Sequence, residues 1–187
     1  RGDQRVKALR PVIRIARPGD ASGIARVERE TWRDAYPTLL LRAYLVQNLG
    51  ARSRWRRRLQ GGDRNVLVAE AAPRRIVAYA TWGPAGWHRA RPGGPAAGQL
   101  YELYVHADHR EKGSGRRLCA EAAQRMACRG MGSLYVEVLE GNPNRFFYEA
   151  LGARLVARTL HDFAGRRLAS VVYLWTDLKT LADHRAA

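Results

Sequence analysis

Cysteine, lysine and acidic residues are all scarce in this 187-residue chain, and long apolar runs are missing. The two cysteines, Cys119 and Cys128, fall in a segment that reads as helix, where nine residues of rise separate them by about 13 Å. A disulfide does not span that distance. With no CxxC pair and no clustered histidines, a structural zinc site is not expected either, and both thiols are expected to be buried as small apolar groups. No apolar stretch approaches the roughly 18 residues of a membrane-spanning helix, mean hydropathy is −0.42, and Arg1–Pro11 lacks the apolar centre of a secretion signal. The expectation is a soluble, cytoplasmic protein without metal. Only 17 acidic residues face 33 Lys+Arg, a formal net charge of +16, and Lys7, Lys112 and Lys179 are the only lysines. The arginine excess has two readings. It is either compositional bias on a solvated surface or attraction of something anionic, such as nucleic acid, a membrane surface or a phosphorylated cofactor.

What is present is enough for one folded domain: 46% of residues are hydrophobic, which suits a core and argues against disorder. Val12–Arg17 reads as a strand, with Pro18, Gly19 and Asp20 leading into a helix over Ala21–Tyr36. A second helix is predicted over Thr38–Leu59, with arginines crowding its C-terminal end, where the macrodipole favours cations. Asn65–Ala71 and Arg74–Trp82 read as a hairpin. Gly83–Gly98, rich in glycine and proline, reads as a long loop of the kind that forms lids. Then follow strand Gln99–His106, helix Gly113–Arg129, strand Ser133–Leu139, short helix Asn142–Leu151, and strands Arg154–Asp162 and Arg167–Thr176. A flexible basic extension over 1–11 and a polar tail over 178–187 flank this unit. The economical architecture is α/β (α+β), a mixed central sheet of about six to seven strands with helices on both faces.

Chemistry concentrates in Gln99–Arg116. A strand runs into Arg110, Glu111, Lys112, Gly113, Ser114, Gly115 and Arg116, in the pattern R-x-x-G-x-G, and a helix begins at once. Glycines let backbone approach an oxygen-rich ligand, and the unsatisfied N–H groups of the helix start form an anion site, as a pyrophosphate needs. The loop is neither a Walker A sequence nor the dinucleotide G-x-G-x-x-G.

This pattern resembles the signature of the GNAT superfamily of acyl-CoA N-acyltransferases, and the resemblance runs from about Val12 to Asp177. Asn142–Ala153, NPNRFFYEALGA, is similar to the family's second signature, and TWRDAY at Thr31–Tyr36 is similar to the first helix of many bacterial members. Glu111 departs from the glycine that members often carry. The resemblance implies a GNAT-like fold and acetyl-CoA as cosubstrate. It implies that Leu103, Tyr104 and Val105 present backbone to the pantetheine arm, that Arg110 to Arg116 hold the pyrophosphate, and that Asn142 bonds the cofactor. Tyr148 is then the acid that protonates the departing thiolate, a role that suits a phenol of pKa about 10.

An amine of pKa about 10.4 costs roughly 4–5 kcal/mol to deprotonate at neutral pH, so a base or a water chain is needed. Glu102 is the nearest carboxylate in sequence. Regular alternation puts it on a face with Leu100 and Tyr104, and it reaches the amine if that face or a local bulge allows. Glu137 and ordered water compete, and His88 and His106 are further titratable candidates. Trp32, Tyr36, Trp82 and Trp87 are candidates for the acceptor cleft, with Trp87 favoured by its loop. The reading is an N-acetyltransferase acting by direct attack of a primary amine, on a small molecule or a peptide, as a monomer or homodimer. The alternatives are a basic nucleic-acid-binding protein and a CoA sensor on the same scaffold.

Overall fold

The computed structural model describes residues 10–35, 50–62, 65–86, 96–163 and 166–185. Its elements are β1 Val12–Ile15, α1 Ala21–Ala35, α2 Arg52–Gln60, β2 Val66–Ala72, β3 Arg75–Pro84, β4 Ala96–Val105 and α3 Ser114–Ala127. They continue with β5 Met131–Leu139, α4 Phe146–Ala150, β6 Arg154–Phe163, β7 Arg166–Trp175 and α5 Leu178–Ala182. The seven strands form one mixed sheet in the order β1-β2-β3-β4-β5-β7-β6, which is the expected α/β architecture. Among the described residues only β4 and β5 run parallel, with α3 as the crossover between them.

Alternation along the strands buries both faces. Leu67, Leu100 and Val136 join Leu118 and Met126 of α3 on one side. On the other, Val66, Val68 and Tyr79 meet Ile24 and Val27 of α1 and Trp55 of α2.

The site is made possible by a divergence at the centre of this sheet. β4 and β5 pair only from Ala96↔Met131 to Leu100↔Val136. Beyond that point β4 continues along β3 to Ala78↔Val105, while β5 continues along β7 to Leu139↔Ser170. A bulge accompanies the parting: Thr81 faces Glu102 but Trp82 faces Leu100, so Tyr101 is an extra residue on β4. The bulge reverses the alternation. Leu100 and Leu103 belong to the α3 side, whereas Tyr104 packs on the α1 side, against Trp32 and Tyr79.

Several expectations change. Thr38–Leu59 is not one helix: Gly50 has φ +69 and α2 begins afresh at Arg52. A Cβ on Gly50 would stand 2.8 Å from the Ala25 carbonyl oxygen, so glycine is required there for close approach as well as for conformation. The arginine cluster therefore runs the whole length of α2 instead of collecting at a C-terminus. The Gly83–Gly98 loop is shorter than expected, because β3 extends to Pro84 and β4 starts at Ala96; 87–95 lie outside the described residues. The presumed polar tail contains α5, whose Leu178 and Leu181 are buried in the α3-side core. At the other end Pro11 is buried and its carbonyl accepts from Arg117 Nη1 at 2.8 Å, so the expected flexible extension is anchored there. Cys119 is buried, its thiol pushed up to about 12 by burial, but Cys128 is exposed.

Candidate active site

Two cavities open where β4 and β5 part. The larger, about 670 Å³, lies between the end of β4, the loop before α3, and α4. Expected residues Leu103, Tyr104, Val105, Asn142 and Tyr148 line it, as do Arg110, Glu111, Lys112, Gly113, Gly115 and Arg116. Ser114 does not: its side chain is 1% exposed, and its hydroxyl has no hydrogen-bond partner among the described residues. The smaller cavity, about 250 Å³, is reached through the same divergence and includes Trp32, Glu102, Glu137 and Ser170 in its lining. Leu103, Tyr104, Asn142 and Tyr148 line both, so the two spaces share a wall.

The loop is shaped by two left-handed residues, Glu111 with φ +58 and Gly113 with φ +80. Glycine is the natural occupant of such backbone, which gives the departure at Glu111 a conformational cost. The turn aims the start of the 14-residue α3 at the cavity, and the first N–H groups of a helix have no partner within it. Arg110 Nη2 reaches Asp34 of α1 at 3.4 Å and its Nε donates to the Val105 carbonyl at 3.3 Å, so this arginine spans the cleft from one wall to the other. His106 Nδ1 accepts from the Asp108 N–H at 3.3 Å, and its Nε2 lies 2.9 Å from Glu30 Oε2, a second tie between α1 and this loop.

Backbone direction on β4 follows from one bond. The His106 N–H donates to Val77 of β3 at 2.9 Å, so by alternation the N–H and C=O groups of Leu103 and Val105 point to the edge that β5 has left. Asn142 Oδ1 accepts from the Asn144 N–H at 2.9 Å, capping the turn Pro143–Arg145 that leads into α4. That turn presents Tyr148, 9% exposed, between Phe147, Tyr173 and Trp175 at centroid distances of 5.3, 6.1 and 6.1 Å.

Glu102 sits in the second cavity with its Oε2 accepting from Thr81 Oγ1 at 2.9 Å and 3.8 Å from Arg58 Nη1. Burial, and after it the negative charge of Glu28, hold its carboxyl above the usual range, against the lowering pull of Thr81, Arg58 and Arg54. Glu28, 1% exposed, accepts from the Gly50 N–H and Trp55 Nε1, each at 2.9 Å, and pairs with Arg54 at 2.5 Å. Glu137 Oε1 accepts from Thr159 Oγ1 at 2.8 Å. The Tyr79 phenol, fully buried and without a hydrogen-bond partner among the described residues, is pushed well above its usual range by burial.

Of the aromatic candidates, Trp32 lines the second cavity. Trp82 does not: it is 1% exposed in the α3-side core with Arg129 stacked over its ring at 4.6 Å. Tyr36, Trp87 and His88 lie outside the described residues. Arg10 and Thr31, absent from the expected set, also line the larger cavity, and the buried Thr31 hydroxyl has no described partner. No local pattern marks them, since both are brought to the loop from far away in sequence. Among the described residues no group of His, Cys, Asp and Glu is placed to hold a metal ion, and no helix is long and apolar enough to cross a membrane.

The two cavities are opposite in charge. Arg10, Arg110, Lys112, Arg116 and Arg117 line the larger against the single carboxylate of Glu111. The smaller carries Glu102 and Glu137 and, among the described residues, no lysine, arginine or histidine.

Comparison with known proteins agrees with this geometry. Residues 24–153 match the model of the acetyltransferase (GNAT) family. The chain is 31% identical over 171 residues to the uncharacterized N-acetyltransferase YuaI of Bacillus subtilis (strain 168), covering 90% of this chain and 95% of that protein. Its fold is similar to a GCN5-related N-acetyltransferase from Rhodopseudomonas palustris, with a TM-score of 0.67 at 19% identity, over 92% of this chain and 99% of the other. It is also similar to yncA from Salmonella typhimurium, a putative acetyltransferase solved with its cofactor acetyl-CoA, with a TM-score of 0.60 at 21% identity, over 88% and 92% of the two chains. The parted strands, the glycine loop before α3 and the matched sequence lead to one assignment: the chain belongs to the GNAT acetyltransferase family.

Proposed function

We propose that the protein is an acetyl-CoA-dependent N-acetyltransferase in which a primary amine attacks the thioester directly. The observation that carries this is the shared wall: a cationic cavity and an anionic one meet at Leu103, Tyr104, Asn142 and Tyr148. A phosphorylated donor suits the first and a protonated amine the second. The cofactor supplies an activated acyl group. The residues present fit it, since the left-handed turn at Glu111 and Gly113, the start of α3 and five cationic side chains suit phosphate oxygens.

Leu103 and Val105 offer main-chain groups to the pantetheine amides, as an edge strand does to a peptide. Arg110, Lys112, Arg116 and the amides from Gly113 to Gly115 take the pyrophosphate, and Asn142 bonds the arm. Glu102 is the base. Its raised proton affinity brings it closer to that of the ammonium from which it draws a proton, directly or through water. Tyr148 donates the proton that the departing thiolate takes up, and its aromatic neighbours fix its direction. Trp32 and Glu137 hold the acceptor. Cys119 lies on the core face of α3 and takes no part. A cytoplasmic setting suits the free thiols of Cys119 and Cys128.

Thermal shift and thiol release test the proposal. Acetyl-CoA at a hundred times its Kd is expected to stabilise the fold by about 2.7 kcal/mol. Tyr148→Phe should keep most of that shift while lowering kcat about 100-fold or more. An unaltered kcat overturns the acid assignment, and a missing shift overturns the cofactor.

A further inference from the structure

The acceptor cavity departs from the rest of the molecule in composition. The chain carries 33 Lys+Arg, yet none is among the described residues lining this space, where Glu102 stands on β4 and Glu137 on β5. Arg58 approaches Glu102 at 3.8 Å without lining the cavity, and its guanidinium is stacked over Trp55 at 5.2 Å. The two carboxylates lie on opposite sides of the parted strands, and Leu100, Leu103 and Val136 supply apolar lining between them. Ser170, 2% exposed, adds a buried residue two positions along β7 from Val172, which faces Glu137. The cavity, of about 250 Å³, suits a small acceptor.

Resting on the acetyltransferase reading, we infer that the acceptor is a small aliphatic amine with a second positive charge, a diamine in preference to an amino acid. Glu102 serves the nitrogen that attacks and Glu137 holds the distal ammonium, with the methylenes spanning the gap between β4 and β5. Trp32 and Tyr104 add aromatic surface near the cationic groups. An α-amino acid would bring a third carboxylate into a space that carries two and, among the described residues, no lining cation, a costly burial. A monoamine would engage Glu102 and make no use of the charge of Glu137, whose Oε1 accepts from Thr159 Oγ1 at 2.8 Å. The overall charge of +16 does not override this preference, because at physiological ionic strength surface charges beyond about 8 Å are screened, whereas groups on the cavity wall are not.

The test compares diaminobutane, butylamine and glycine as acceptors with saturating acetyl-CoA, following free thiol. The diamine is expected to exceed butylamine in kcat/KM by about ten-fold or more, with glycine lowest. Glu137→Gln should bring the diamine-to-butylamine ratio toward one, chiefly by raising KM for the diamine, while acetyl-CoA still shifts the melting temperature. Butylamine or glycine matching the diamine, an inert diamine, or a ratio unchanged in Glu137→Gln overturns the inference and leaves the acetyltransferase reading standing if any amine releases thiol. No thiol from any amine together with no thermal shift by acetyl-CoA removes both.

Discussion

Glu102 binds its proton more tightly in the folded protein than in the unfolded chain, because burial and Glu28 disfavour its charge. Such a group withdraws stability as pH rises from the ordinary glutamate range through its raised value, since the folded state is the one holding more protons. Glu102→Gln removes the buried charge and keeps an oxygen for the Thr81 hydroxyl. It is expected to raise the melting temperature at pH 7 by about 2–4 °C, the equivalent of about 1 kcal/mol for a chain of this size. The gain should vanish near pH 4, while turnover falls about 100-fold or more at pH 7. Melts at both pH values and a thiol-release assay check the pair of outcomes. Glu102 was visible in the sequence as the carboxylate nearest the loop, but its surroundings were not. Glu28 meets Gly50, Arg54 and Trp55, more than twenty residues away, and no spacing rule links such positions.

At the scale of elements, the bulge decides which cavity Glu102 serves. With Tyr101 present, Leu100 stays in the core under α3 while Glu102 bonds Thr81 and faces Arg58. Inserting one residue between Thr81 and Trp82 would give Tyr101 a partner on β3, restore a period of two and put both side chains on one face. Either Leu100 leaves the core or Glu102 enters it uncompensated, a penalty of about 3–5 kcal/mol, similar to that of breaking a buried ion pair. The insertion should abolish amine acetylation and lower the denaturation midpoint, whereas Tyr101→Phe, which loses the hydroxyl bond to the Pro84 carbonyl, should keep the fold and most of the turnover. Activity retained by the insertion variant would show that the face of Glu102 is irrelevant. The strands themselves were legible from apolar runs bounded by glycine and proline, and the loop from its glycines between a strand and a helix. The bulge was not, because one inserted residue leaves no mark in a single sequence. The break at Gly50 was masked by the apolar spacing of Leu41, Tyr44, Leu45 and Leu49, which lie outside the described residues.

Across the whole molecule the arginine excess is sorted and not uniform. Arg14 pairs with Asp20 and Glu70, Arg26 with Glu30, Arg125 with Glu121 and Arg158 with Glu140, so many of the scarce carboxylates are neutralised locally. Composition disclosed the net sign but not this partition, which depends on which carboxylates fold into the cleft. The parted strands also leave a mark on proton exchange. A seven-stranded sheet is expected to guard its central amides best, through the hydrogen bonds on both sides of the middle strands. Here the N–H groups of Leu103 and Val105 turn toward a gap in the middle of the sheet. In the free protein they should exchange with deuterium as fast as those of an outer edge, and slow by orders of magnitude when acetyl-CoA is added. These two amides are thus a built-in clock for donor occupancy, readable without any acceptor.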